Sequence, residues 1–367
     1  MARGFSANLD FLRAFAVLLV VMQHICRRLQ IYQVSWIPTS SLGYFGVLLF
    51  FVHTSLVLMY SLERSPLSGW PLTWTFYLRR IFRIYPLSIA IVLAALALHL
   101  DSDINGVSGL SRGELPGKLS IMAQLLLVQN LVHVKSIVNV LWSLPFELQM
   151  YLFLPFLFLW VKGKRMFWPV LGLWAASLVP GLAQPRVGAL SQLSILIYIP
   201  SFLPGVLAYT LPRASRLHSS LWPLFVLSLA AVFTLRPVLH LAWVLGLVLG
   251  LLIPSFAELT TPWLCFVSNR IATYSYGIYV SHQFSIWIAF GVLQFQSLWL
   301  RTTVLVVLLV GLPVLLYHAI EKPMIGVGLW ITTGRTASEV ARSPEASQSK
   351  SSGSSFSDIK PPKTRIG

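Results

Sequence analysis

Long apolar runs dominate the chain, and the strict alternation of a membrane-spanning strand is missing. Windows of about 18 or more largely apolar residues recur along its length, each able to cross a hydrocarbon core of about 30 Å as a helix. The pattern predicts an all-α, polytopic membrane bundle with spans at 10–28, 42–62, 79–99, 146–161, 167–181, 190–210, 220–235, 238–254, 273–295 and 302–320. The segment 119–134 is apolar but short, and Lys118, His133 and Lys135 bracket it. It reads as a surface or re-entrant helix, with an eleventh span as the alternative. After about Thr332 the chain turns to Ser, Lys and Pro and cannot bury enough apolar surface to order itself. The predicted division is a membrane domain over 1–332 and a disordered cytosolic tail over 333–367.

Charge placement orients the bundle. With the N-terminus inside, the cytosolic segments hold Arg3, Arg64, Arg79, Arg80, Arg83, Lys162, Lys164, Arg165, Arg213, Arg216, Arg270 and Lys322. The outer segments hold fewer cations, among them Arg27, Arg28, Arg112, Arg186 and Arg236, diluted by Asp101, Asp103 and Glu114. The positive-inside rule therefore places both termini in the cytosol. An eleventh span would invert the later half and move Lys162, Lys164 and Arg165 outside.

Composition narrows the function classes. Of 367 residues, 56% are hydrophobic and 10% charged, which excludes a soluble globular domain. The formal charge of +16 comes from loop cations that orient helices and meet anionic lipid, so a nucleic-acid partner is not expected. Cys26 and Cys265 lie in apolar segments without CxxC spacing, and no HxxxH or HExxH pattern supports a metal site built from His24, His53, His282 and His318. No internal repeat or matched pair of broken helices marks a transporter. A transporter or flippase for a polar or lipid-linked molecule is nevertheless the alternative class.

Ionisable residues inside spans are costly, so they are the first candidates for function. Arg13 and His24 are eleven positions apart, which returns a helix to nearly the same face about 17 Å further along. Both therefore look into one groove, with His24 deep in the hydrocarbon. His24 is either a general base for a hydroxyl or a histidine satisfied by a neighbouring carbonyl. Arg80 and Arg83 share a helical face at the expected cytosolic opening of the third span. They either grip a phosphate or anchor the helix as inside cations. Glu147, at the expected outer start of the fourth span, either pairs with a base or sugar hydroxyl or complements the helix dipole. Glu321 beside Lys322 reads as an interfacial ion pair.

These residues sit in a series of motifs. Leu9-Asp-Phe-Leu-Arg-Ala14 with its Arg-x10-His pair, Tyr44-Phe-Gly-Val-Leu-Leu-Phe-Phe51, Arg80-Ile-Phe-Arg83, Trp142-Ser-Leu-Pro-Phe-Glu147, Tyr274-Ser-Tyr-Gly-Ile-Tyr-Val-Ser-His282 and Ile320-Glu-Lys-Pro323 occur in that order. The series resembles the acyltransferase-3 family of integral membrane acyltransferases. The resemblance implies ten helices and acyl-CoA, usually acetyl-CoA, as a donor substrate rather than a permanently bound cofactor. It also implies a carbohydrate or glycolipid acceptor at or beyond the inner (cytoplasmic) membrane. In that light His24 is the expected catalytic base, Glu147 and His282 are expected beside it, and Arg13, Arg80 and Arg83 hold the donor. The chain departs from the family pattern at Leu48, where the family has Asp, and around His53, Thr54 and Ser55, which replace a common Ser-Gly.

Overall fold

The computed structural model describes residues 6–98, 116–184 and 194–340. Its helices are α1 (Ala7–Arg28), α2 (Ser40–Glu63), α3 (Gly69–Ala97), α4 (Lys118–Leu125), α5 (Leu144–Val161) and α6 (Phe167–Ala183). They continue with α7 (Ile199–Thr210), α8 (Leu221–Leu235), α9 (Leu239–Leu252), α10 (Pro262–Trp287), α11 (Leu298–Leu316) and α12 (Lys322–Val340). The one sheet among the described residues is an antiparallel hairpin between α1 and α2, made of β1 (Gln33–Val34) and β2 (Ile37–Pro38). Five helical stretches, Ala7–Arg28, Ser40–Glu63, Gly69–Ala97, Asn139–Val161 and Leu298–Thr333, are long and apolar enough to cross a bilayer. The helices α6 to α9 are equally apolar but shorter. The chain is an all-α, multi-pass membrane protein.

Several boundaries differ from the sequence pattern, each for a local reason. The third helix begins at Gly69 rather than near 79, because its first turns are an exposed aromatic face, Trp70 and Trp74, that an average over hydropathy discounts. The helix expected at 273 begins at Pro262, since proline fits a first helical turn and the polar Asn269-Arg270 step hides the start. The expected span 190–210 is a helix from Ile199, opened by Pro200 and preceded by a 3-10 turn over Ser194–Ile197. The remainder of that span, together with Arg3, Asp101, Asp103, Arg112, Glu114, Arg186 and the chain from 341 onward, lies outside the described residues. The last helix runs to Val340, past the boundary expected at 332.

The segment 119–134 holds no helix long enough to span. The helix α4 has 8 residues, and an α-helix rises about 1.5 Å per residue, so it covers only a fraction of the membrane. The chain then turns through Leu127 and His133, both at positive φ, and Leu127 is fully buried. Two buried glutamines hold this loop. The Gln124 side-chain oxygen accepts from the Ile137 N–H at 2.8 Å, and the Gln129 amide donates to the Leu141 carbonyl at 2.9 Å. Buried irregular backbone of this kind needs protein groups to satisfy it.

At the centre stands α2, which packs against α1, α5, α7, α8 and α9. Small residues permit the close approaches, as expected where lipid supplies no hydrophobic drive between helices. A Cβ on Gly46 would stand 2.6 Å from the Ala16 carbonyl oxygen of α1. A Cβ on Gly205 of α7 would overlap the Ser55 hydroxyl, which itself donates across the interface to the Phe202 carbonyl at 2.7 Å. The core is thereby closed around α2, and α1, α3, α5 and α10 are left to carry the polar groups.

Candidate functional site

The sequence-predicted residues gather into two clusters at different depths. In the first, Arg13 of α1 meets Arg79, Arg80 and Arg83 of α3 and Glu147 and Tyr151 of α5 around a cavity of about 260 Å³. Because α3 begins at Gly69, Arg80 lies about 16 Å along the helix rather than at its mouth. The Tyr151 hydroxyl donates to Glu147. Arg83 Nη1 pairs with Glu321 Oε1 at 2.7 Å, and the Glu321 side chain is fully buried.

This pairing corrects the expectation that Glu321 pairs with Lys322 at the interface. Adjacent residues on a helix do not face each other. A π-helical turn over Tyr317–Glu321 joins α11 to α12 and turns Glu321 inward toward Arg83. The following helix covers the cavity with Ile325 and Leu329, and Arg79 Nε donates to Thr332 Oγ1 at 3.0 Å. Among the described residues, four guanidinium groups and one carboxylate line the space, and Arg13 Nε and Arg80 Nε are buried without a protein partner. Unpartnered buried donors on a cation are expensive, and an anion is the ligand that relieves them.

The second cluster pairs His24 of α1 with His282 of α10, their ring centroids 5.0 Å apart. His282 Nδ1 lies 3.0 Å from the Ile278 carbonyl. A carbonyl only accepts, so this nitrogen carries the proton and Nε2 is left as an acceptor. Among the described residues, His282 Nε2 and His24 Nδ1 are both buried and without a partner. His24 lines a cavity of about 480 Å³ whose walls include Gln23, Arg27, Tyr44, Asn139 and Trp142. Glu147 does not line this cavity; it belongs with the arginines. The four histidines likewise separate, His53 lying against the arginine cavity and His318 against Tyr274 and Tyr317.

A constriction of about 60 Å³ stands between the two clusters. It shares Arg13, Thr54, Glu147 and Tyr276 with the arginine cavity, and Val47 and Tyr279 with the histidine cavity. Tyr279, a member of the late tyrosine motif to which sequence reasoning gave no role, forms part of this neck. Its hydroxyl donates to the Val140 carbonyl at 2.8 Å and so accepts from Ser143 at 2.7 Å, which ties α10 to the segment before α5. Its i, i+3 spacing to His282 was the available signal. A fourth cavity of about 300 Å³ shares Arg13, His53, Val57 and Arg83 with the arginine cavity and extends away from the histidines. The cavities thus form a file with shared walls, carrying cations at one end and an imidazole pair at the other.

No curated protein and no solved structure matches the chain. A family model described as an acyltransferase domain, that of the acyltransferase-3 family, matches residues 6–318. That match runs from the N-cap of α1 into the π-helical turn and takes in the cavities' walls except Ile325 and Leu329 of α12. The chain therefore belongs to the acyltransferase-3 family and is a membrane acyltransferase.

Proposed function

We propose that the protein moves an acyl group, acetyl in the simplest case, from acyl-CoA to a hydroxyl of an envelope or exported carbohydrate at the inner membrane. The observation that carries the reading is the file of cavities with an anion-seeking cluster and an imidazole pair at opposite ends. The donor's diphosphate sits on Arg13, Arg80 and Arg83, and its extended pantetheine arm runs along α1 toward His24. The separation of about 17 Å suits that arm. Fixed guanidinium forks recognise phosphate oxygens in a way a diffuse positive surface does not.

In the transfer step, His24 Nε2 takes the proton of the acceptor hydroxyl as its oxygen attacks the thioester carbonyl carbon. The new C–O bond forms, the C–S bond breaks, and the proton passes from His24 to the departing CoA sulfur. His282 acts on His24 rather than on the substrate. The two rings lie 5.0 Å apart with His24 Nδ1 and His282 Nε2 both lacking a partner, so a small approach on substrate binding lets His282 Nε2 accept from His24 Nδ1–H and hold His24 in the tautomer with Nε2 free to take a proton. Glu147 and Tyr151 set the arginine forks on the donor side. The test is transfer of radiolabelled acetyl from acetyl-CoA to cell glycans by the detergent-purified protein. Glycans from cells lacking the gene should correspondingly lose acetyl groups by mass spectrometry. Protein that neither hydrolyses nor transfers the label would overturn the reading.

The same reading places ten spans across the membrane with both termini in the cytosol. The cavity beyond the arginines takes its walls from Ser6, Arg64, Arg213 and Asn269, and the histidine cavity from Arg27, Ser40, Asn139 and Pro237. In a ten-span topology these are helix ends on opposite sides of the membrane, which supports it. A cysteine at Ser35 in the hairpin should react with an impermeant thiol reagent in intact cells, and one at Gly163 should not. Both positions are exposed. Labelling at Gly163 from outside would reverse the orientation.

A further inference from the structure

The cavity beyond the arginines is larger than a diphosphate held on Arg13, Arg80 and Arg83 would need. Its volume is about 300 Å³. Beyond the wall it shares with the arginine cavity, its walls come from the ends of separate helices. Tyr60 and the C-cap Arg64 stand at the end of α2, Tyr209 at the end of α7 with Arg213 three residues past it, and Asn269 lies in the first half of α10. The Tyr60 and Tyr209 rings stand edge to face with centroids 5.7 Å apart, a half-buried aromatic wall. Arg213 is held in place by Glu258. That carboxylate also accepts from the Ser6 hydroxyl at 2.9 Å and the Asn8 N–H at 3.1 Å, so the start of α1 fixes the arginine's position. A guanidinium has five donors, and one carboxylate does not exhaust them.

We propose that this vestibule takes the adenosine 3′-phosphate end of the donor, with Arg64 and Arg213 recognising the 3′-phosphate and the Tyr60–Tyr209 pair packing against the adenine. The inference rests on the donor reading above and goes further, because it assigns a second anion site to different residues. The chemistry requires two sites. One ribose separates the 5′-diphosphate of CoA from its 3′-phosphate, so the two must bind in neighbouring compartments. The arginine cavity and the vestibule meet at Arg13, His53, Val57 and Arg83. A phosphate monoester carries close to two negative charges at neutral pH, which a pair of guanidinium groups matches. Purines pack well on tyrosine faces. Among the described residues Asp10 is the vestibule's one carboxylate wall, and Asn269 Nδ2 already donates to it at 2.9 Å.

The experiment is calorimetric titration of the detergent-purified full chain with CoA and with 3′-dephospho-CoA. The wild type should bind CoA about 10-fold or more tightly than the dephospho form, as expected for a charge-assisted contact of this kind. Arg64→Gln and Arg213→Gln should bring that ratio toward one while leaving the affinity for 3′-dephospho-CoA within about twofold. Retained dephospho-CoA binding also shows that the variants are folded. A wild-type ratio near one overturns the inference and leaves the donor reading standing. Equal weakening of both ligands in the variants also overturns it, because the arginines then serve general charge. If the wild type binds neither ligand, the donor reading falls and takes the vestibule assignment with it.

Discussion

His24→Ala is expected to lower acyl transfer by about 100- to 10,000-fold, the range that general-base catalysis supplies, while acyl-CoA affinity stays at the wild-type value. The split follows from the separation of the clusters. The imidazole is about 17 Å along α1 from Arg13, on the far side of the constriction from the arginines. Removing it leaves the donor's phosphate contacts intact and removes only the group that takes the proton. His24→Gln should be equally inactive, because an amide fills the space and cannot accept the proton. His282→Ala should cost less, since His282 orients the base without touching substrate. Its loss should appear in kcat with little change in KM. Turnover at the wild-type rate by folded His24→Ala protein would remove the assignment.

The parts of this architecture legible in the sequence are those that depend on a single helix. Arg13 and His24 lie on one regular helix, so their shared face and axial separation follow from helical geometry alone. Arg80 and Arg83 are likewise neighbours through i, i+3 spacing. What was not legible depends on where helices begin or change pitch. The depth of Arg80 was hidden because α3 starts with a Trp-bearing turn that hydropathy does not separate from a loop. Glu321 was misplaced because a π-helical turn, invisible to a 3.6-residue period, rotates it away from Lys322 and onto Arg83. Glu147 was expected at the start of the fourth span, beside the base or a sugar hydroxyl. It does stand in the first turn of α5, but its place beside the arginines depends on contacts between α1, α3 and α5 that no local pattern encodes. The neck formed by Tyr279 joins residues far apart in sequence, and no local pattern encodes such a contact.

Arg80→Lys and Arg83→Lys should each weaken acyl-CoA binding although the charge is kept, and Arg80→Lys should weaken it more. A lysine ammonium is a point charge on a flexible stem and cannot reproduce the two parallel N–H donors of a guanidinium fork. The loss of one charge-assisted contact corresponds to about 10-fold or more in affinity. The ranking comes from the partners each arginine has within the protein. Arg83 already spends one edge on Glu321 at 2.7 Å, whereas Arg80 has a buried Nε without a partner and packs its guanidinium 5.9 Å from the centroid of the Phe76 ring. More of the Arg80 fork is therefore left for a ligand. Simple charge anchoring at a membrane surface predicts the opposite, since the positive-inside rule does not distinguish lysine from arginine. Calorimetric titration of CoA into the purified variants separates the two accounts. Unchanged affinity in both lysine variants would end the phosphate-clamp assignment, and a larger loss at Arg83 than at Arg80 would place the diphosphate nearer Glu321 and the π-helical turn.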